Sequence, residues 1–543
     1  MNAEKFMQSG PEWDTIGALI RARGANDTAR LAVEVCGRSL TYGELDKLSD
    51  RVAANLALLN VVKGDRVVSF AFNCVEQLLT WFGCSKIGAI WVPLNVSLVG
   101  DDLTYSIRDS APKVLITDGE TCGKVNDIEA GLSSSIQRFC IDGVSNQRPF
   151  MALLAEGADP PLVNVFRQDP AVIVYTGGTT GLPKGAVLPH YAWIAAGYRY
   201  VEAFAITDND RHYSVLSLFH VGGLMIGMLG PIVAGIPTFV DRWFSVSNFW
   251  SRVRETGATV IDPIGTMVTL LCKQPPKPDD RDHKVRVALG TLSQVPADIV
   301  AQVTNRFGIS LVNVYSLTES GGTLIVHNKE GSPKPKANGM GWGWCELRIV
   351  DDEDNPLSAG QIGEIVLRPT IPYTFMLEYH NNPTKTLECF RNLWLHTGDL
   401  GYLDDEGFLF FVGRKAHRLR VRGENVSAYE VEDNLSRYPG IQEVIVVGIL
   451  SELGEEDVKA FIIVEEGHQL DPAALVTWCL RNMAPYKVPR YVEVVSEFPR
   501  TVAKREVERH KLRDMPNHNA WDAEKVFGRR SLRTATTTRG TQK

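Results

Sequence analysis

The sequence predicts an α/β protein with a large N-terminal domain over residues 1–414, a small α+β domain over 415–515 and a disordered tail over 516–543. Three observations predict this. A chain of 543 residues exceeds what one compact core holds. Strand-like and helix-like apolar patterns alternate early in the chain, which implies a parallel sheet with helices on its faces. A separate small α/β pattern begins after a boundary segment at 401–414, and beyond Met515 the chain turns polar and Arg/Thr-rich.

Leu40-Thr41-Tyr42-Gly43-Glu44-Leu45 opens a helix, with Thr41 as N-cap and Glu44 completing a capping box. Leu45, Leu48, Val52, Ala53 and Leu56 continue it at helical spacing. Residues 67–72 read as a strand, 75–84 as a helix and 89–92 as a short strand ended by Pro93-Leu94-Asn95. Asp404-Asp405-Glu406-Gly407 is a hairpin turn. In the small domain, 444–449 and 460–464 are strands and 472–481 a helix.

The formal net charge is −7, with no basic bias toward nucleic acid or an anionic membrane. Nine scattered cysteines without a Cys-x-x-Cys pair read as reduced core residues of a cytoplasmic protein, not a disulfide frame or zinc site. Residues 1–13 lack a signal-peptide core, and no apolar run is long enough to span a membrane. A homodimer is compatible with the sequence.

The richest segment is Tyr175-Thr176-Gly177-Gly178-Thr179-Thr180-Gly181-Leu182-Pro183-Lys184-Gly185, set between apolar runs at 171–174 and 186–188. Glycines let the backbone approach an anion, and successive N–H groups form a nest for phosphate oxygens. Thr176, Thr179 and Thr180 add hydroxyls and Lys184 a charge. Pro183 before Lys184, followed by a strand, excludes a Walker A loop. A polyphosphate ligand is expected.

Tyr315-Ser316-Leu317-Thr318-Glu319 follows the apolar run 309–314. This presents an aromatic for adenine, a hydroxyl for phosphate and a carboxylate for Mg²⁺, a hard cation that prefers oxygen. The loop and this pentapeptide resemble signatures of the adenylate-forming superfamily. That group includes acyl-CoA synthetases, firefly-type luciferases and the adenylation domains of peptide synthetases. Gly177 stands where Ser is usual, and Ser316 where Gly is usual. Lys63-Gly64-Asp65-Arg66-Val67 and Gly88-Ala89-Ile90-Trp91-Val92-Pro93-Leu94-Asn95 resemble the family too.

The resemblance implies the remaining roles. In His396-Thr397-Gly398-Asp399-Leu400-Gly401, Asp399 accepts from the ribose hydroxyls. In Gly413-Arg414-Lys415-Ala416-His417, Arg414 contacts ribose or phosphate, and Lys415 and His417 both remain candidates for the hinge pivot. Gly423 and Glu424 belong to a loop that serves the thioester step, approached by Arg418, Arg420 and Arg422. Those arginines suit CoA phosphates or form a solvated basic strand. In Leu218-Phe219-His220-Val221-Gly222-Gly223, His220 orients the substrate carboxylate and the glycines leave room for a ligand. Glu319 and Thr179 are the magnesium candidates.

The chain resembles in particular bacterial acyl-CoA ligases of the crotonobetaine/carnitine-CoA ligase type. Tyr379-His380-Asn381-Asn382-Pro383, the run from Asp279 to Arg286 and the run from Arg422 to Ser427 carry this likeness. The pattern breaks near the end. Family members place a Lys in a Pro-x-Thr-x-x-Gly-Lys segment. Here Pro499-Arg500-Thr501-Val502-Ala503-Lys504-Arg505-Glu506 lacks the Gly and runs one residue longer. Counting from Thr501 puts Arg505 at the Lys position, and counting back from Leu512 puts Glu506 there. Lys504 is the favoured catalytic cation, since a carboxylate there repels both reactants.

A large adenylate-forming domain, a small mobile domain and a site between them are therefore expected. So are ATP, Mg²⁺ and CoA, and a small carboxylic acid that is largely apolar, because the stretch after His220 carries no charge through Met228. The expected activity is ATP-dependent acyl-CoA ligation. The alternatives are transfer of acyl-AMP to a carrier protein or amine, and low-turnover binding caused by the altered terminal motif.

Overall fold

The computed structural model describes residues 12–531 except 144–146, 179–180, 291–296, 323–325, 328–333, 335–336, 342, 416–417, 422–423, 451–455 and 501–506. The chain forms two compact units. The large unit comprises Met1–Arg348, Val366–Thr397 and Leu403–Phe410, and the small unit Ile349–Ile365, Gly398–Tyr402 and Phe411–Lys543. The sequence reading places one cut after residue 414. The two short excursions that join the small unit earlier depend on long-range pairing that local patterns do not report.

Thr41 caps helix Tyr42–Leu58 as its sequence predicts. Its Oγ1 accepts the Glu44 N–H at 3.2 Å, and Glu44 Oε2 accepts the Thr41 N–H at 2.8 Å. Helix Val75–Ile87 buries every residue but Glu76, and His190–Ala203 every residue but Glu202. Helices buried on all sides belong in the interior of a large protein.

Two sheets dominate the large unit. In the first, the described strands run in the order Glu378–Tyr379, Gly181–Pro189, Pro170–Gly178, Ile90–Pro93, Arg66–Phe70, Val114–Thr117, Gln137–Cys140, Arg148–Pro149. Its middle is parallel, with Val67 opposite Trp91 and Val114, and its strands are apolar on both faces. Pro170–Gly178 and Gly181–Pro189 pair antiparallel, so the Gly/Thr loop joins them. The second sheet contains Ser310–Tyr315, parallel to Val287–Gly290, with a tight turn Thr318–Ser320 beyond its carboxyl end. Ligands of parallel sheets commonly bind beyond such ends.

The small unit has its own core, which includes Val431, Leu435, Val446, Ala460, Ile462, Leu475, Val476 and Cys479. Its sheet follows the order Ile441–Leu450, Glu456–Val464, Tyr491–Val494, Trp521–Asp522. The last strand and helix Ala523–Ser531 fall in the segment expected to be disordered. Ala523 is buried in the core, and Trp521 and Phe527 pack against it. These few apolar contacts order a segment whose average composition is polar. Residues 532–543 lie outside the described residues.

None of the nine cysteines forms a disulfide, and six of them are buried. Burial pushes the Cys345 and Cys479 thiols up to about 12, which keeps them protonated and unreactive. Among the described residues no helix is long and apolar enough to cross a membrane.

Candidate active site

Thr176 stands opposite Lys184 across the two strands of the phosphate loop, and its hydroxyl donates to the Lys184 carbonyl at 3.3 Å. Gly178 pairs with Gly181, while Thr179 and Thr180 lie outside the described residues. The Tyr175 hydroxyl donates to Asp109 Oδ2 at 2.6 Å, and Asn381 Nδ2 donates to the Asp109 carbonyl at 3.0 Å. Asp109 thus ties the loop's first strand to the segment around residue 380.

That segment carries a residue to which the sequence assigned no role. Strand Glu378–Tyr379 pairs with Val187 and Ala186, and the His380 N–H donates to the Gly185 carbonyl at 2.7 Å. This lays the Tyr379 ring beside Lys184, whose Nζ stands 4.5 Å from the ring centroid. The Tyr379 hydroxyl donates to Glu319 Oε1 at 2.8 Å. Lys184 and Glu319 are therefore joined through one tyrosine. Only its place in the Tyr379-His380-Asn381-Asn382-Pro383 run hinted at this. Burial, then the Glu319 charge, hold the Tyr379 hydroxyl far above its ordinary pKa, so it remains a donor.

Tyr315 ends its strand 6% exposed. Thr318 opens the following turn, and the Met376 N–H donates to the Glu319 carbonyl at 2.9 Å. Next to this turn, a Cβ at Gly322 would strike Val221 and lie 3.4 Å from Met225 Sδ. The turn Thr318–Ser320 and the segment after His220 are thus in contact within the large unit.

His220 is half-buried, with its ring 4.6 Å from that of Phe219. Its backbone N–H donates to Ser217 and its carbonyl accepts from Leu224. The glycines after it need a correction. A Cβ at Gly223 would collide with the Ser217 carbonyl oxygen, so close backbone approach explains this glycine without a ligand. Gly222 is roomier, with Leu216 Cδ1 at 3.7 Å as its nearest neighbour. Residues Gly223–Leu229 form a π-helical turn, a form frequent at functional sites, and all are buried and uncharged.

A carboxylate stands beside that turn although none lies within it. A Cβ at Gly227 would be 3.5 Å from Asp262 Oδ2. His212 Nε2 lies 3.2 Å from the same oxygen, and His212 Nδ1 lies 2.8 Å from the Tyr200 hydroxyl. One neutral tautomer satisfies both contacts, with Nε2–H donating to Asp262 and Nδ1 accepting from Tyr200. Among the described residues, Asp262 Oδ1 is buried without a hydrogen-bond partner.

In the small unit, Asp399 is 4% exposed and its Oδ1 lies 2.9 Å from Arg414 Nε. Lys415 pairs with Glu364 at 2.9 Å and Asp352 at 3.0 Å, while His417 lies outside the described residues. Backbone pairing aligns Arg418–Val421 with Glu424–Ser427, and Arg422 and Gly423 lie outside the described residues. Lys504, Arg505 and Glu506 do so as well. On either side of them, Arg500 and Val507 form an antiparallel bridge, and the Glu508 N–H donates to the Pro499 carbonyl at 2.8 Å.

Comparison with known proteins agrees with these motifs. The AMP-binding enzyme family matches residues 20–379, and the AMP-binding enzyme C-terminal domain matches residues 430–505. The crotonobetaine/carnitine–CoA ligase of Salmonella paratyphi A is 33% identical over 505 residues, covering 90% of this chain and 95% of that protein. The anthranilate CoA ligase AuaEII, solved with anthranoyl-AMP, superposes with a TM-score of 0.83 at 25% identity over 94% of this chain and 98% of that one. The o-succinylbenzoate CoA synthetase MenE of Bacillus subtilis, solved with ATP and a magnesium ion, gives 0.79 at 25% identity over 91% and 99%. The chain belongs to the AMP-binding, adenylate-forming enzyme family, on its acyl-CoA ligase branch.

Proposed function

We propose that this protein is an ATP-dependent acyl-CoA ligase that activates a carboxylic acid as an acyl-adenylate and transfers the acyl group to CoA. The observation that carries the reading is the Lys184–Tyr379–Glu319 arrangement, which joins a phosphate-loop cation to a carboxylate suited to magnesium. Magnesium commonly takes one or two carboxylates with phosphate oxygens completing its shell, so Glu319 fits, with Thr179 as a second candidate. When bound, it neutralises polyphosphate charge.

A substrate carboxylate oxygen attacks the α-phosphorus of ATP, and the bond to pyrophosphate breaks. The CoA thiol then loses its proton, its sulfur attacks the acyl carbon, and the bond to AMP breaks. A free carboxylate is a poor acylating agent, and adenylation gives it a good leaving group. In this reading the loop from Thr176 to Lys184, with Thr318, holds phosphates. Tyr315 stacks on adenine, Asp399 accepts from the ribose hydroxyls and Arg414 contacts ribose or phosphate. His220 orients the acid, Lys504 neutralises the reacting oxygens, and Gly423 and Glu424 serve the thioester step. Catalysis is then mainly positioning and charge neutralisation.

The uncharged Gly223–Leu229 turn supports a largely apolar acid. Its relatives are named for carnitine and crotonobetaine, so a test panel spans aliphatic, aromatic and quaternary-ammonium acids. Pyrophosphate release identifies the acid, and detection of its CoA thioester tests the second step. Pyrophosphate release without a thioester would indicate a carrier or amine acceptor. Absence of pyrophosphate release with every acid tried would favour low-turnover binding. Preference for a quaternary-ammonium acid would overturn the apolar reading and point to Asp262.

A further inference from the structure

Glu364 is 6% exposed, yet neither the reaction nor the sequence motifs use it. A carboxylate taken from water at that depth needs partners, and this one has partners of different kinds. Its Oε1 accepts the Gly398 backbone N–H at 3.1 Å, and its Oε2 lies 2.9 Å from Lys415 Nζ. Each partner adjoins a nucleotide candidate in the chain. Gly398 precedes Asp399, and Lys415 follows Arg414. Asp399 and Arg414 are themselves an ion pair at 2.9 Å. Two dipeptides, 398–399 and 414–415, are therefore cross-linked twice, once directly and once through Glu364. Gly398 has a φ of +69°, a conformation open chiefly to glycine. A Cβ at Gly398 would meet nothing within 4 Å among the described residues, so the positive φ and not close packing accounts for the glycine. The hydrogen bond from its N–H to Glu364 orients the Thr397–Gly398 peptide, one residue before Asp399.

We propose that Glu364 is a positioning residue for nucleotide binding: it fixes the Gly398–Asp399 turn so that the Asp399 carboxylate meets the ribose hydroxyls, and its pairing with Lys415 anchors Arg414 in the same frame. This rests on the ribose role of Asp399 proposed above. Glu364 touches no nucleotide in this scheme. Its loss acts through the geometry of Asp399, where a misplaced acceptor forfeits charge-assisted hydrogen bonds.

The test is calorimetric titration of the full-length protein with AMP and with 2′,3′-dideoxy-AMP, which lacks both hydroxyls. Glu364→Ala is expected to weaken AMP binding about tenfold, in line with the loss of a hydrogen bond to a charged group. It should leave the already weaker dideoxy-AMP binding unchanged. Glu364→Gln, whose amide oxygen still accepts from Gly398, should recover part of the AMP affinity. Equal weakening of both nucleotides would show a merely structural role and overturn the proposal, as would unchanged AMP affinity. If Glu364→Ala does not fold, the same nucleotide comparison with Glu364→Gln decides. Asp399→Ala separates the two levels. If it too fails to discriminate between the nucleotides, the ribose reading itself falls. If it discriminates and Glu364→Ala does not, only the present proposal falls.

Discussion

The Tyr379 hydroxyl donates a 2.8 Å hydrogen bond to Glu319 Oε1 while the face of the same ring holds Lys184 Nζ 4.5 Å from its centroid. Tyr379→Phe keeps the ring and deletes only the donor. Hydrogen bonds to charged groups contribute about 1.5–3 kcal/mol, so magnesium-dependent pyrophosphate exchange should fall by roughly tenfold to a hundredfold. A magnesium titration of the exchange rate measures this. A rate equal to the parent's would mean that Glu319 is held without the hydroxyl.

Lys504→Ala should strongly lower acyl-AMP formation while sparing thioester formation from supplied acyl-AMP, and Arg505→Ala should be milder. A lysine is a compact charge on a flexible stem, suited to reach between a carboxylate and a phosphate. Measuring the two half-reactions separately checks this. Normal adenylation in Lys504→Ala with loss in Arg505→Ala would reverse the register.

Gly223→Ala should destabilise the large unit by about 1–3 kcal/mol, because the new methyl meets backbone, which no rotamer change relieves. Gly222→Ala meets only the end of a leucine side chain at 3.7 Å and should cost much less. Thermal unfolding of both variants makes the comparison. Equal midpoints would show that the π-helical turn shifts to accommodate the methyl.

His190 is fully buried. Among the described residues, its Nδ1 accepts a long hydrogen bond of 3.4 Å from the Ile16 N–H and its Nε2 has no partner. Burial pulls its pKa from the ordinary 6.5 down to about 4. Below pH 6.5 the unfolded chain takes up a proton that the folded chain refuses, so stability falls as pH drops. The loss approaches about 3 kcal/mol near pH 4, where the folded state begins to protonate as well. His190→Phe should flatten the dependence of the unfolding midpoint between pH 6.5 and 4. An identical slope in parent and variant would assign the acid sensitivity to other groups.

The sequence by itself determined the family, the Thr41–Glu44 capping box, the alternating elements that feed a parallel sheet and the Gly/Thr loop between two strands. Each of these is written in contiguous residues, because caps, periodicity and phosphate nests are short-range devices. It also marked Glu319 and Asp399, which sit in compact motifs. Only the tertiary structure decided what holds them. Tyr379 reaches Glu319 from 60 residues away. Glu364 reaches Gly398 across 34 and Lys415 across 51. Asp262, just beyond strand Val260–Ile261, arrives beside the Gly223–Leu229 turn. The role of Gly223 changed for the same reason: a glycine that leaves room for a ligand and one that admits a neighbouring carbonyl look alike in a sequence. Ala523 was hidden by averaging, since one buried residue and two aromatics order a segment whose composition is polar. In each case long-range contacts fix the outcome, and no local pattern encodes which distant groups make them.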